Sequence, residues 1–172
     1  EKFPDWKKEL REAVDMPVKH ISAYSLTYEK GTALSKMLKK GLIKPLEDEV
    51  VAGMYEYAVD FLKGRGFKRY EVSNFARDGY LCRHNFSYWK NEPYIGLGPS
   101  AVSYLDGVRR KNISDVKEYI ARIKKGGSVI KSQEKLSDVQ KAKETAALKI
   151  RTEEGISLEW FKEKTGFDFL RL

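Results

Sequence analysis

Two histidines occur in the 172-residue sequence, and one of them stands in an unusual setting. His84 is preceded by Cys82 and followed by Asn85, Tyr88 and Trp89. A neutral imidazole can bind a metal or a haem iron through one ring nitrogen, while a neighbouring group holds the other nitrogen. The two aromatic rings could then form a flat apolar wall beside it. The residue types alone also fit an ordinary structural histidine that pairs with Asn85 or with a backbone carbonyl.

Two weaker patterns lie in the same stretch of sequence. Cys82 and His84 are two positions apart, which in an extended segment places a thiol and an imidazole on one side, as nucleophilic catalysis requires. No third group that could orient such a pair is identifiable. Gly96 and Gly98 begin a dinucleotide-type glycine pattern, but Ala101 occupies the position of its third glycine. We therefore expect either a tight turn there or a close approach of the backbone to a flat ligand.

The remaining polar residues do not form a recognisable catalytic set. Glu29 and Glu71 are each expected to be solvated or to pair with a basic residue such as Arg69. His20 begins an apolar stretch, where a structural role is expected. A single cysteine cannot form an internal disulfide or supply a metal site of several thiolates. Whether the chain is part of an enzyme stays open, and no catalytic residue is predicted.

The charge of the chain raises nucleic acid as a partner, but its distribution argues against one. The sequence has 33 Lys and Arg against 25 Asp and Glu, a net charge of +8. These basic residues are spread over several predicted helices, as on ordinary solvated surfaces. An anionic small molecule, such as a carboxylated macrocycle, is also compatible. No apolar run approaches the roughly 20 residues that cross a bilayer, so we expect a cytoplasmic protein with at most a peripheral membrane contact.

The hydrophobic periodicity predicts a mixed chain of helices and strands. A helix that leads into an apolar strand is half of an α/β repeat, and such a unit needs neighbouring strands to form a sheet. The stretch 79–104 is expected to be a glycine-rich aromatic loop. The predicted elements are helices over 5–16, 32–40, 47–63, 114–125, 137–151 and 157–165, with strands over 18–28 and 68–75.

Several segments resemble one known family. Residues 20–32 resemble the last barrel strand of the oxygen-independent coproporphyrinogen III oxidase family of radical SAM proteins. Residues 69–89, which include His84-Asn85-x-x-Tyr88-Trp89, resemble the signature of the haem-chaperone branch of that family. The oxidase branch lacks these His-Asn-x-x-Tyr-Trp residues. The resemblance continues through 94–104 and 151–156 and so covers nearly the whole chain.

The resemblance implies that the chain is the C-terminal part of a longer protein. Members of the family carry an N-terminal partial (βα)6 barrel, whose Cys-x3-Cys-x2-Cys loop holds a [4Fe–4S] cluster and S-adenosylmethionine. Residues 1–31 then form the last helix and strand of that barrel, 32–112 an auxiliary α/β region, and 113–172 a helical C-terminal domain that is cut short. The expected fold class is therefore α/β, or α+β for the isolated fragment. The missing barrel half is an expected partner, and the exposed strand edge predicts a homodimer.

The resemblance also implies a function and three binding residues. It indicates a haem chaperone that binds haem or porphyrin and delivers it to a haem-accepting protein. His84 matches the histidine that acts on haem, whereas Thr27 and Val102 match positions that contact S-adenosylmethionine in the oxidase branch. No metal ligand is expected within this chain. The alternatives are the radical oxidative decarboxylation of coproporphyrinogen III and a basic nucleic-acid or adaptor module.

Overall fold

The computed structural model describes residues 2–172, and the chain divides between Cys82 and Arg83 into two compact units. Each unit combines helices with a three-stranded antiparallel sheet, so the mixed α/β character predicted from the sequence is confirmed. The three-part division at residues 31 and 112 stays a prediction about the longer protein. Among the described helices, none is long and apolar enough to cross a bilayer.

The first unit holds three helices and a sheet in which the middle strand is the last in sequence. The sheet order is β1-β3-β2, and both pairings are antiparallel. Its elements in chain order are α1 (Phe3–Asp15), β1 (His20–Ser22), α2 (Ala33–Lys39), α3 (Asp48–Gly64), β2 (Lys68–Arg69) and β3 (Asn74–Ala76).

The core of the first unit forms where α1, α3 and the sheet meet. Leu10 of α1, Leu62 of α3 and Phe75 of β3 are buried in one cluster. The Trp6 indole N–H donates to the backbone oxygen of Met54 at 2.9 Å and fixes α1 against α3. Burial of each large apolar side chain stabilises the fold by about 1.5–3 kcal/mol. Both helices predicted from the sequence therefore contribute apolar side chains to this core.

Both predicted strands of the first unit are shorter than expected. The sequence predicts a strand over 18–28, but only His20–Ser22 pair with β3. Beyond them, Ala23 still donates its backbone N–H to Ser73 at 2.8 Å, and the chain then runs to Thr32 without a strand. The predicted strand over 68–75 is interrupted by a turn and becomes β2 and β3. β-branched and aromatic residues favour a strand only where a partner backbone is in place, and β3 offers three residues.

The second unit holds four helices, a sheet and a final short helical turn. The sheet order is β4-β5-β6, again antiparallel throughout. Its elements in chain order are α4 (Arg83–Trp89), β4 (Val102–Leu105), β5 (Val108–Asn112), α5 (Val116–Lys124), β6 (Ile130–Lys135), α6 (Asp138–Lys149), α7 (Leu158–Thr165) and a 3₁₀ turn (Phe169–Arg171).

The loop predicted over 79–104 is wrong in its central part. Residues Arg83–Trp89 form the helix α4, whose seven residues are too few to show a clear 3.6-residue period. The same stretch ends in β4, which forms a hairpin with β5. Asp106 and Gly107, with φ of 52° and 71°, make the two-residue turn of this hairpin. An Asp-Gly pair is a strong hairpin signal, so this element was available in the sequence.

The segment after residue 112 is not purely helical as predicted. The strand β6 pairs with β5, from Val108 opposite Lys135 to Asn112 opposite Ile130. Both strands carry mostly polar and charged side chains, and every residue of β6 is exposed. The alternation of apolar and polar residues that signals a half-buried strand is therefore missing.

Candidate functional site

The helix α4 has one buried side and one exposed side. Phe86 is buried and Trp89 is half-buried, three positions further along. His84 and Tyr88, which are four positions apart, are both exposed. Residues at i and i+4 lie above one another on a helix, so the two exposed side chains meet. The helix therefore exposes the His84 imidazole and the Tyr88 phenol on one side, while its other side packs against the rest of the unit.

His84 and Tyr88 form a direct polar contact. The Tyr88 hydroxyl oxygen lies 3.2 Å from His84 Nε2, and the two ring centroids are 4.9 Å apart with the planes at 83°. The partner of the imidazole is thus a tyrosine, where the sequence suggested Asn85 or a carbonyl. The alternative of a catalytic Cys82–His84 pair assumed an extended segment, and this assumption is wrong because α4 begins at Arg83.

Three tyrosine rings extend from the histidine into the interior of the unit. Tyr88 packs edge-on against Tyr94 with centroids 4.8 Å apart, and Tyr94 lies 6.3 Å from the ring of Tyr104. Tyr94 and Tyr104 also exchange two backbone hydrogen bonds of 2.9 Å. The backbone of Tyr94 pairs with Tyr104 of β4, and this pairing brings the two rings together. Sequence reasoning missed this row of rings.

The inner end of the row is held by charges. The Arg109 guanidinium lies 5.6 Å from the centre of the Tyr104 ring and donates a 2.6 Å hydrogen bond to Glu144 of α6. Burial, assisted by the nearby Glu144 carboxylate, raises the pKa of Tyr104 above its ordinary value. The hydrogen bond to Glu144 raises the pKa of Arg109. The row therefore ends in a tyrosine that stays neutral and a guanidinium that stays charged.

The buried side of α4 is anchored on the end of α6. The Lys149 ammonium lies 5.0 Å from the Phe86 ring centre and 5.5 Å from that of Trp160. The Arg151 guanidinium lies 5.0 Å from the Trp89 ring centre. Lys149 is only 4% exposed and donates to Glu154 at 2.5 Å. These contacts hold α4 through cations that face its aromatic rings.

Exposed apolar residues follow Tyr94 in the chain. Ile95 is 68% exposed and Leu97 is 87% exposed. Between them, a Cβ built on Gly96 would lie 2.2 Å from the Val102 carbonyl oxygen, so a glycine is required for this close backbone approach. Gly98 has φ of 104° and donates its N–H to the Tyr119 hydroxyl at 3.3 Å. Gly96 thus allows the close backbone approach, Gly98 begins the turn that follows, and Ile95 and Leu97 are exposed to solvent.

We compared the chain with protein families, curated proteins and solved structures. No family model matches the chain. The chain is 32% identical over 166 residues to the haem chaperone HemW of Lactococcus lactis, which covers 96% of this chain and 43% of that protein. It is 34% identical over 154 residues to HemW of Bacillus subtilis, covering 90% of this chain and 41% of that protein. The chain is a relative of the HemW haem chaperones.

Two further proteins are similar to the chain, one in sequence and one in fold. The chain is 37% identical over 160 residues to the mitochondrial radical S-adenosyl methionine domain-containing protein 1 of Danio rerio, covering 88% of this chain and 36% of that protein. Its fold is similar to that of HemN, the coproporphyrinogen III oxidase of Escherichia coli and a radical SAM enzyme. That likeness has a TM-score of 0.75 and 12% identity, and covers 99% of this chain and 42% of HemN. The chain spans about two fifths of the HemW relatives that it matches.

The residues that the resemblance assigned to S-adenosylmethionine lie in different units. Thr27 is exposed in the irregular segment of the first unit, where its backbone oxygen accepts from the N–H of Glu29 at 3.1 Å. Val102 is the first residue of β4 in the second unit and is half-buried. Cys82 closes the first unit and is half-buried. A [4Fe–4S] cluster needs several thiolates, so the residues of this chain do not fit one.

The other residues weighed from the sequence have structural surroundings. His20 Nε2 lies 2.9 Å from the Tyr70 hydroxyl, within the first unit and in keeping with a structural role. Glu71 is buried, so the first of the two surroundings expected for it, solvent or a basic partner, is wrong. Its Oε1 accepts from the backbone N–H of Ser73 at 3.1 Å. Across residues 2–172, no group of three His, Cys, Asp or Glu is arranged to hold a metal ion.

Proposed function

We propose that the chain is the C-terminal part of a haem chaperone that binds haem and passes it to a haem-requiring protein. The observation that carries the proposal is the exposed His84–Tyr88 pair on a helix whose other side is fixed. The relatives that match nearly all of this chain are named haem chaperones, which supports the proposal. A surface that offers iron ligands to solvent suits a protein that must give its haem away.

His84 is the residue that we propose to act on the haem iron. Its imidazole is of the kind that binds haem iron in many proteins, and it is exposed on α4. The porphyrin face would lie on apolar side chains near the pair, and Tyr94, Ile95 and Leu97 are the residues that offer such surface. Removing apolar surface from water contributes about 25 cal/mol per Å², so the flat face of a macrocycle would gain several kcal/mol.

The haem propionates would be bound by basic side chains. Arg83 is exposed and precedes His84 at the start of α4. A guanidinium can donate two parallel hydrogen bonds to a carboxylate, which is stronger and more directional than a single bond. The net charge of +8 favours an anionic macrocycle over a neutral one.

The remaining functions are proposed for the longer protein. We infer that its other part completes a partial (βα)6 radical SAM barrel and holds a [4Fe–4S] cluster with S-adenosylmethionine. Thr27 and Val102 are the residues of this chain that would then contact S-adenosylmethionine. The cytoplasmic location and a homodimer through the edge of β1 stay predictions. Coproporphyrinogen III oxidation remains the alternative function, and the named haem-chaperone relatives do not favour it.

A hemin titration of the chain tests the haem-binding function. His84→Ala should bind hemin more weakly and change the Soret band, since the apolar contacts stay but the imidazole is lost. His20→Gln removes the other imidazole of the sequence and serves as the matched control, with binding expected to be unchanged. Cys82→Ser tests the rival thiolate ligand and should also leave the spectrum unchanged. Equal affinity and spectrum for wild type and His84→Ala would overturn the assignment of His84.

A further inference from the structure

We propose that the second unit binds a phosphate group in a cavity between β4, α6 and α7, a site separate from the exposed side of α4. The cavity has a volume of about 230 Å³. Small-molecule sites commonly measure about 300–1,000 Å³, so this one suits a phosphate ion or a phosphate ester with few further atoms. The residues that carry this proposal are not used in the haem-binding function, so neither proposal depends on the other.

Three side chains from three different elements offer hydrogen-bond donors to the cavity. They are Tyr104 of β4, Lys141 of α6 and Lys164 of α7. Tyr104 is only 7% exposed, and its hydroxyl makes no hydrogen bond to any residue among 2–172. Buried polar groups nearly always have a partner, so this hydroxyl is expected to serve a ligand.

The two lysines lie deeper in the wall than the acids that pair with them. Lys141 Nζ lies 2.9 Å from Asp138 Oδ1, and the two side chains are 32% and 81% exposed. Lys164 Nζ lies 3.0 Å from Glu92 Oε1, and these side chains are 26% and 42% exposed. Water screens the exposed carboxylates, and each ammonium keeps two further N–H donors. The interior of the cavity is therefore electropositive, although the formal charges of the two pairs cancel.

The other uncharged polar residues of the wall are occupied within the protein. The Thr145 hydroxyl donates to the Lys141 carbonyl at 2.7 Å and accepts from Asn91 Nδ2 at 3.0 Å. The Thr165 hydroxyl donates to the Phe161 carbonyl at 2.7 Å. These bonds fix the wall and leave the ligand to the phenol and the two ammonium groups.

Lys141 is held beside Tyr104 by the turn between β4 and β5. A Cβ built on Gly107 would lie 2.2 Å from Lys141 Cε and 2.6 Å from its Nζ, so the lysine side chain passes directly over this glycine. Burial and the Glu144 carboxylate raise the pKa of Tyr104, and the Lys141 ammonium acts against them. The ammonium therefore lies near a phenol that stays neutral and can donate to an anion.

A phosphate group fits these donors better than a carboxylate does. Its oxygens form a tetrahedron and can accept hydrogen bonds that arrive from different directions. A planar carboxylate is matched best by the parallel N–H groups of an arginine, whereas lysine binds phosphate as a point charge. Among the residues that the structure describes, the wall contains two lysines and no arginine.

The test is phosphorus NMR of inorganic phosphate titrated with the chain, with thermal unfolding at matched ionic strength as a second measurement. Wild type should bind phosphate, and its unfolding midpoint should rise with phosphate but not with chloride. Lys164→Gln and Tyr104→Phe should each weaken binding by roughly tenfold, the scale of one hydrogen bond to a charged group. Lys162→Gln, at an exposed position of α7, is the matched control and should bind as wild type does. Circular dichroism of each variant confirms that it is folded.

Further ligands distinguish the source of the group and the nature of the site. Glycerol phosphate that binds more tightly than inorganic phosphate supports an ester, and weaker binding supports the free ion. Equal phosphate binding by wild type, Lys164→Gln and Tyr104→Phe would overturn the site, and acetate that binds as tightly as phosphate would overturn the choice of phosphate. Loss of hemin binding in Lys164→Gln would also overturn the proposal, because the cavity would then belong to the haem site. Wild type that binds phosphate but not hemin would overturn only the haem-binding function.

Discussion

Asn91 donates a hydrogen bond from Nδ2 to the hydroxyl oxygen of Thr145 at 3.0 Å, and both residues are buried. The two lie 54 positions apart in the chain, so the bond ties the segment after α4 to the middle of α6. Asn91 has φ of 51°, a left-handed backbone that asparagine tolerates better than most residues. The segment that leaves the candidate haem-binding helix is therefore held by one buried polar pair.

Thr145→Val should destabilise the second unit. The substitution keeps the shape but leaves the Asn91 amide without its acceptor, and it removes the bond that Thr145 donates to the Lys141 carbonyl at 2.7 Å. A buried group left unsatisfied costs about 1–3 kcal/mol. Chemical denaturation measures the change, and Thr145→Ser is the control because it keeps the hydroxyl. Equal losses for the two variants would show that packing, and not the hydroxyl, is what matters at this position.

Substitution of Glu154 by Gln should cost more stability than substitution of Lys149 by Met. Lys149 is buried between the Phe86 and Trp160 rings, and the Glu154 carboxylate is its ion-pair partner. Removing the partner leaves a buried ammonium without a counter-charge, whereas Met replaces the ammonium with apolar volume. The Gln amide can still accept from the ammonium and the Glu154 side chain is 62% exposed, so the cost of Glu154→Gln should be about 1 kcal/mol. Thermal unfolding of the two variants side by side decides the order, and the reverse order would contradict the prediction.

Two glycines should respond to alanine with opposite signs. Gly96→Ala places a Cβ 2.2 Å from the Val102 carbonyl oxygen and must displace backbone, so it should be destabilising and should disturb the segment that carries Ile95 and Leu97. Gly53 lies inside α3, and a Cβ there meets no atom within 4 Å. Gly53→Ala should therefore stabilise the chain by about 0.5–1 kcal/mol through helix propensity. Urea midpoints of the two variants test both signs at once.

The stability of the second unit should fall at alkaline pH because of Tyr104. Burial raises the pKa of this phenol, so the folded chain keeps a proton that the unfolded chain loses above about pH 10. The folded state then binds more protons, and its stability is complete below that pH and declines as pH rises toward the folded pKa. Tyr104→Phe should flatten this decline, as measured by denaturant unfolding at several alkaline pH values. Tyr80→Phe should leave it unchanged, and a decline equally steep in Tyr104→Phe would assign it to other groups.

The sequence predicted the helices better than the strands, and the reason is physical. Apolar residues recur every three to four positions in α1 and α3, around Leu10 and Leu62, and this local spacing is enough to predict a helix. The strand β6 forms because β5 lies beside it. Its residues are all exposed and do not alternate between apolar and polar, so the sequence gives no local signal for a strand. The length of β1 likewise depends on how many residues of β3 lie beside it.

The candidate site was predicted in its residues but not in its geometry. The sequence pointed to His84 together with Tyr88, yet it suggested a loop, whereas their spacing of four is itself a helical signal. One pair at that spacing is too little to predict a helix of seven residues. The contact of Tyr94 with Tyr104 depends on the bridge between residue 94 and β4, and no repeating pattern in the sequence encodes that register.

The shortness of α4 would link the proposed haem binding to the folding of the second unit. Seven residues form too few hydrogen bonds to hold a helix in water, so α4 exists because Phe86 and Trp89 pack against the end of α6. Melting of this unit would separate His84 from Tyr88 and disrupt the proposed haem site. A haem that binds only the folded form must then raise the unfolding midpoint as its concentration rises above the dissociation constant. Conversely, a haem-accepting protein that separates Phe86 from Lys149 would release the haem by local unfolding of α4, without competing for the iron.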